Sequence, residues 1–265
     1  TLMSDAPPKS RKGYLKVTEI FHSLQGEALQ SGLPTVFVRL TGCPLRCTYC
    51  DSEYAFYGGE WMHYDEILAE IEKYGTKYVC VTGGEPLAQK RCKKFLERLC
   101  DEGYAVSLET SGAMDIARAD RRVSRVMDIK TPASREESSN RWENLAELTP
   151  NDQVKFVICS RSDYEWAREQ IRLHLRLDPA DPRLDLHRRI LARVAGQLDG
   201  ENDGLVLLEL AVPDEHQTPG RDVGEMADDL ARVVGGRRSR DVNVRAHPDG
   251  SRVADQRLPG RIRGK

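Results

Sequence analysis

Short apolar and β-branched runs alternate along the first two thirds of the chain with longer stretches in which apolar residues recur every three or four positions. The runs "TVFVRL" (35–40), "YVCVTG" (78–83), "AVSLET" (105–110), "RVMDIK" (125–130) and "QVKFVIC" (153–159) predict buried strands. Between them, "HYDEILAEIEKY" (63–74), "AQKRCKKFLERLCDEG" (88–103) and "YEWAREQIRL" (164–173) predict helices. The first of these places Ile67, Leu68 and Ile71 on one face. Strands alternating with helices predict a parallel α/β sheet, open or curved into part of a barrel. Such sheets collect function at the carboxyl ends of their strands, which points to the segment after residue 40, "TGGEP", "ETSG" and "DIKTP".

This rhythm stops near residue 172. Beyond it there are no aromatic residues, against 6% in the whole chain, and fifteen arginines stand beside a single lysine, Lys265. Two apolar pieces remain: "LVLLELAV" (205–212) predicts a strand and "VGEMADDLARVV" (223–234) a helix. The end, 235–265, is rich in Arg, Gly and Pro and predicts disorder. The expected organisation is a flexible N-terminus (1–13), an α/β core (14–172) and an atypical C-terminal segment (173–265).

Charge and cysteine usage narrow the chemistry. Forty basic residues against 42 acidic ones leave a formal charge of −2, which offers no global footprint for nucleic acid and favours a small-molecule partner. No apolar run reaches the length of a membrane span and the N-terminus lacks a signal-peptide stretch, so a cytoplasmic location is expected. Seven cysteines, an odd number, argue against a disulfide framework. Three lie within "TGCPLRCTYCDSEYAF" (41–56): Cys43, Cys47 and Cys50, spaced C-x3-C-x2-C. Thiolates suit iron–sulfur clusters, zinc or copper(I). Structural zinc calls for a fourth ligand, such as His63 or a remote cysteine, whereas three cysteines on a four-iron cluster leave one iron open. Cys80, Cys92, Cys100 and Cys159 fall within strand or helix patterns and read as buried core thiols. His63 reads as a helix-start or surface residue, because its neighbours have no recurring metal-ligand spacing.

Some thirty residues after the trio comes "TGGEP" (82–86), directly following a strand. Its glycines permit close backbone approach by a ligand, and Glu85 is suited to accept hydrogen bonds from an ammonium group. Cysteine loop and Gly-Gly-Glu turn, in this order, resemble the radical S-adenosylmethionine (SAM) superfamily. The stretch "VTEIFHSLQGEALQSGLPTVFVRLTGCPLRCTYCDS", with "YVCVTGGEPL", "VSLETSGA", "DIKTP" and "NDQVKFVIC", resembles the 7-carboxy-7-deazaguanine synthase family within it. This resemblance covers roughly residues 14–172.

The resemblance implies a partial TIM-like barrel of mostly parallel strands. It also implies a [4Fe-4S] cluster on Cys43, Cys47 and Cys50, SAM, and magnesium on Ser52, where the family commonly has threonine. SAM contacts are implied for Tyr49, Cys50, Asp51, Gly83, Gly84, Glu85, Ser111, Lys130, Gln153, Val154, Lys155 and Phe156, with Thr110 at a neighbouring strand end. Substrate contacts are implied for Leu24, Gln25, Gly26, Glu27, Arg39 and Thr82. The implied reaction converts 6-carboxy-5,6,7,8-tetrahydropterin to 7-carboxy-7-deazaguanine with loss of ammonia, in queuosine biosynthesis. A flavodoxin or ferredoxin would donate electrons to a homodimer. Two departures stand out. Ala28 replaces a glycine usual in the family, and the aromatic-containing end of family members has no counterpart in 173–265. The latter reads as a diverged extension, a fusion or a frame change. Two other functions share parts of these motifs: another radical SAM enzyme, such as a glycyl-radical activase, and a zinc-stabilised binding module.

Overall fold

Side chains on successive strand residues point to opposite faces, and this parity gives the sheet two unlike sides. The computed structural model describes residues 12–117, 119–174 and 206–211. Its strands are β1 (Tyr14–Leu24), β2 (Pro34–Leu40), β3 (Glu60–His63), β4 (Tyr78–Gly83), β5 (Ala105–Thr110), β6 (Ser124–Ile129), β7 (Gln153–Ile158) and β8 (Val206–Ala211); its helices are α1 (Tyr64–Glu72), α2 (Cys92–Asp101) and α3 (Arg161–His174). One face carries Val36, Val38, Val79, Val81, Leu108, Met127, Val154 and Phe156, all buried in one core with Ile67 and Ile71 of α1, Phe95 and Leu99 of α2, and Ala167 and Ile171 of α3. The other parity carries Arg39, Thr82, Glu109, Asp128, Gln153 and Lys155. Polar groups therefore line the face that the helices leave uncovered.

The strands form one open sheet in the order β3-β1-β2-β4-β5-β6-β7-β8. Pairing is parallel from β2 through β7 and antiparallel at both flanks. This is the expected incomplete barrel. The strand expected in the C-terminal segment is β8, which pairs with β7 from Gln153↔Ala211 to Ile158↔Val206. The helix expected at 223–234, the polar end and most of the expected flexible N-terminus lie outside the described residues. Among the described residues no helix is long and apolar enough to cross a membrane.

Four local outcomes differ from the periodicity, one of them β3 (Glu60–His63), which was not among the expected strands. β1, eleven residues long, was not among the expected strands, because a bulge between Val17 and Glu19 breaks its two-residue alternation. The helix expected from residue 88 begins only at Cys92. Gln89 is held extended (φ −87°, ψ 99°), and its side-chain amide bonds Lys16 N, Lys16 O and Thr41 O at 2.8–2.9 Å. The helix at 164–173 starts earlier, at Arg161, where Ser160 Oγ accepts from Asp163 N at 3.2 Å. His63 is the N-cap of α1, in a reciprocal capping box with Glu66. Of the remaining cysteines, Cys80 and Cys92 are buried as expected, and Cys100 and Cys159 are half-buried.

Candidate active site

The cysteine loop runs from the end of β2 to a short turn at Glu53–Ala55. Backbone bonds hold both of its ends: Gly42 N donates to Ala55 O and Glu85 N to Gly42 O, each at 2.8 Å. Thr48 N and Oγ1 donate to Ser134 O and Ala133 O at 3.2 and 2.5 Å, tying the loop to the segment after β6. Arg46 lies over the Phe56 ring at 4.2 Å and donates to Cys43 O and Leu45 O, which fixes the first turn. The three thiols are half-buried and free. Burial pushes the Cys43 thiol up and Cys47 up to about 11. Both thiols are therefore protonated at neutral pH until a metal displaces the proton.

Among the described residues no three His, Cys, Asp or Glu side chains gather closely enough to ligate a single ion. Three thiols on one anchored loop make a soft donor set of the kind that iron–sulfur clusters use. The residues present fit the [4Fe-4S] group. Next to them, the Ser52 hydroxyl makes no capping bond and donates to Asp51 Oδ1 at 2.7 Å. This leaves two hard oxygens side by side, a donor set suited to magnesium.

The Gly-Gly-Glu turn differs from its sequence reading. A Cβ on Gly83 (φ +153°) would lie 2.2 Å from Leu40 O, and one on Gly84 would lie 2.5 Å from Gly42 O and 2.7 Å from Cys43 Cβ. The close approach these glycines allow is thus to the chain's own backbone, Gly83 against the end of β2 and Gly84 against the cysteine loop. Glu85 is fully buried, at 0% exposure, and accepts from Leu87 N (2.9 Å), Thr110 Oγ1 (3.0 Å), Ser111 N (2.7 Å) and Ser111 Oγ (2.5 Å). An ammonium group reaches this carboxylate only if a hydroxyl turns away. Glu85→Gln places an amide N–H₂ against these donors and is expected to lower stability by about 1–3 kcal/mol, read from urea unfolding.

Two implied contacts are turned away from the site. The side chains of Val154 and Phe156 lie in the hydrophobic core at 1% exposure, and their backbone is paired to both β6 and β8. Parity separates them from Gln153 and Lys155, which face the polar side. Lys155 lies 2.6 Å from Glu27, 3.4 Å from Glu109 and 3.9 Å from Asp128; Lys130 lies 3.0 Å from Asp128. Burial works against the Lys155 charge, but the attraction of Glu109, Glu27 and Asp128 outweighs it and pushes the ammonium well above its ordinary range. Burial pushes the Glu109 carboxyl up against the pull of Lys155. Lys130 also lies 5.9 Å from the centre of the Tyr49 ring, which joins this group to the cysteine loop.

Several buried polar atoms here have no hydrogen-bond partner: Gln25 Nε2, Gln30 Oε1, Gln153 Nε2 and Asp128 Oδ1. Buried polar atoms are nearly always bonded, so this set calls for ordered water or a polar ligand. Glu109, Asp128 and Gln30 were missed by sequence reading. The parity of "SLET" and "VMDIK" holds the signal for the first two, which share a face with Thr82 and Lys155. Arg39 Nε is bound to Glu19 Oε1 at 2.7 Å, and the guanidinium lies 5.7 Å from the centres of the Phe21 and Tyr54 rings. Its terminal nitrogens have no protein acceptor among the described residues.

Residues 37–130 match the profile of the Radical SAM superfamily. A 7-carboxy-7-deazaguanine synthase of Koribacter versatilis is 52% identical over 162 residues, 60% of this chain and 72% of that protein. The chain belongs to the 7-carboxy-7-deazaguanine synthase family. A further synthase, of Methanospirillum hungatei, is 40% identical over 168 residues, 63% of this chain and 71% of its own length. The crystal structure of QueE from Escherichia coli superposes with a TM-score of 0.52 at 23% identity, covering 64% of this chain and 81% of that one, and supports the fold. Members of this family are radical SAM enzymes, so membership implies a [4Fe-4S] cluster and SAM.

The family's Gln-Gly-Glu loop is residues 25–33 here. It closes on itself through Gln25 N to Leu33 O (2.9 Å) and Gly32 N to Gln25 O (2.7 Å). It is fastened to β7 by Glu27–Lys155 and by Leu29 N donating to Gln153 Oε1 at 2.9 Å. Leu24 and Gly26 are exposed, whereas the Gln25 side chain is buried beneath the loop. Ala28 sits at φ +64°, a left-handed conformation that disfavours any Cβ and that glycine adopts without strain. Ala28→Gly relieves that strain at some entropic cost and is expected to raise stability by about 0.5 kcal/mol in urea unfolding.

Proposed function

We propose that this chain converts 6-carboxy-5,6,7,8-tetrahydropterin to 7-carboxy-7-deazaguanine with release of ammonia, a step toward queuosine and related 7-deazapurines. The observation that carries this reading is the set of buried amide and carboxylate atoms without a hydrogen-bond partner in the 25–33 loop and on the polar face of β6 and β7: Gln25 Nε2, Gln30 Oε1, Asp128 Oδ1 and Gln153 Nε2. A pterin edge presents alternating donors and acceptors, which such a set complements. The terminal nitrogens of Arg39 would hold a carboxylate, and Glu19 and the two rings fix the guanidinium.

When bound, the cluster and SAM supply a radical able to take a hydrogen atom from the substrate. The protein's part is to position and enclose. Cys43, Cys47 and Cys50 would hold the cluster, and Ser52, with Asp51 beside it, would hold magnesium. Lys155 and Lys130 balance the carboxylates of Glu27, Glu109 and Asp128, keeping a charged wall in place away from water. The 25–33 loop, fastened to Gln153 and Lys155, covers the substrate.

The test is anaerobic reconstitution with iron and sulfide, followed by reductant, SAM, magnesium and carboxytetrahydropterin. Both 5′-deoxyadenosine and 7-carboxy-7-deazaguanine are expected by mass spectrometry. Deoxyadenosine without the deazaguanine would reject this substrate; tightly bound zinc with no iron would reject the radical chemistry.

A further inference from the structure

Apart from the polar face, the molecule has a cleft of about 530 Å³ at the rim beside β3, lined by Lys16, Thr41, Trp61, Gln89, Lys90 and Arg91 among others. Its lining contains three cations and no carboxylate. No described side chain forms an ion pair with Lys16, Lys90 or Arg91, whereas nearby Lys93 lies 3.9 Å from Asp115.

The placement of these charges is unfavourable to the fold alone. Lys90 and Arg91 stand at the N-terminus of α2, whose first turn has no acidic residue and whose N-cap side chain makes no capping bond. The backbone there already carries the positive end of the helix dipole, so basic residues add like charge. Among the described residues no carboxylate lies within ion-pair distance of these cations, which leaves them open to an external anion.

The position of the cleft indicates which anion. Thr41 precedes Cys43 by two residues, so this wall is at most about 7.6 Å of chain from a cluster ligand. Gln89 joins the same wall to β1 by accepting from Lys16 N and donating to Lys16 O and Thr41 O. Trp61 gives the cleft an aromatic wall.

We propose that this basic cleft is the docking surface for an acidic one-electron carrier protein, which delivers its electron to the centre held by Cys43, Cys47 and Cys50. This rests on the radical SAM reading of the trio. In each encounter the carrier is oxidised by one electron and the centre reduced by one; no bond is made or broken. Complementary charge would act mainly on encounter, so the effect should appear in the carrier's KM and its salt dependence.

The experiment uses the reconstituted full chain and the double variant Lys90→Glu/Arg91→Glu. Acidic residues at this helix end favour α2, so folding should be kept. SAM cleavage is measured with dithionite and, separately, with a reduced flavodoxin at several salt concentrations. With dithionite the variant should match wild type within about twofold, whereas the flavodoxin KM should rise about tenfold and lose most of its salt dependence. The control Lys73→Glu/Lys77→Glu, on the exposed segment leading into β4, carries the same change in net charge and should leave that KM unchanged. An unchanged flavodoxin KM in the cleft variant, or an equal rise in the control, overturns the proposal. Binding of AMP that the cleft variant loses, with an unchanged flavodoxin KM, would make this a nucleotide site and also overturn it. Absence of SAM cleavage by wild type with dithionite removes the radical SAM reading, and this inference with it.

Discussion

Cys47→Ala is expected to leave the chain folded but unable to hold its cluster, with SAM cleavage falling to background. Cys47 is half-buried in the middle of the anchored loop, and the Cys50 N to Cys47 O bond of 3.1 Å makes a tight turn between the last two thiols. Alanine keeps that backbone bond and removes only the sulfur. The expected readings are a circular dichroism spectrum like wild type, loss of bound iron and visible cluster absorbance, and no 5′-deoxyadenosine. Cys100→Ala, on α2 and outside the loop, should retain iron and activity. Retention of a full cluster by the Cys47 variant would show that another residue completes the ligand set. Loading has a pH dependence of known sign. Cys43 and Cys47 are pushed up, the latter to about 11, so each must lose a proton when iron binds. Reconstitution should therefore strengthen from pH 7 to pH 9, measured as iron affinity against a competing chelator.

Asp152→Ala is expected to be the most destabilising single change, by about 3–5 kcal/mol. Asp152 and Arg125 are buried at 0% and 2% side-chain exposure and form a close ion pair. The carboxylate also accepts from Arg125 N (2.8 Å), Arg125 Nε (2.9 Å), Thr149 N (2.7 Å) and Thr149 Oγ1 (2.9 Å). Alanine leaves these four donors without their acceptor and a full positive charge in the interior without its counter-ion, with Glu147 O still accepting from Arg125 Nη2 at 2.7 Å. That is a large part of the stability of an ordinary domain, about 5–15 kcal/mol. The double variant Arg125→Met/Asp152→Leu removes both charges and should recover most of the loss, because the pair's attraction only partly offsets its desolvation. Urea unfolding of both variants checks this; equal losses would place the cost in packing instead. The pair lies at the amino ends of β6 and β7, away from the cysteine loop. Its effect should therefore fall on stability more than on the chemistry of folded molecules.

The parallel strands β4 and β5 match their apolar runs residue for residue, and β2, β6 and β7 do so within one residue at either end. They are short, buried on one side and bounded by turn residues, so local pattern suffices. β1 was hidden by its bulge, and the start of α2 by Gln89, whose extended backbone depends on partners 48 and 73 residues away. The cysteine trio was legible because its three thiols lie within eight residues. Glu109 and Asp128 were not singled out, since an acidic residue near a strand end has no local mark of function; only their convergence on Lys155 gives them one.

The sequence by itself determined the family, the order of the central strands and helices, and the cysteine trio proposed to hold the cluster. These depend on spacing and side-chain chemistry within short stretches. Tertiary structure decided that Gly83 and Gly84 make room for the cysteine loop, that Glu85 is enclosed by Thr110 and Ser111, and that Val154 and Phe156 face the core while Gln153 and Lys155 face the site. It also brought Lys16, Trp61, Lys90 and Arg91 together at one rim. Each of these depends on which distant backbone lies within a few ångströms, a property set by sheet pairing and strand parity.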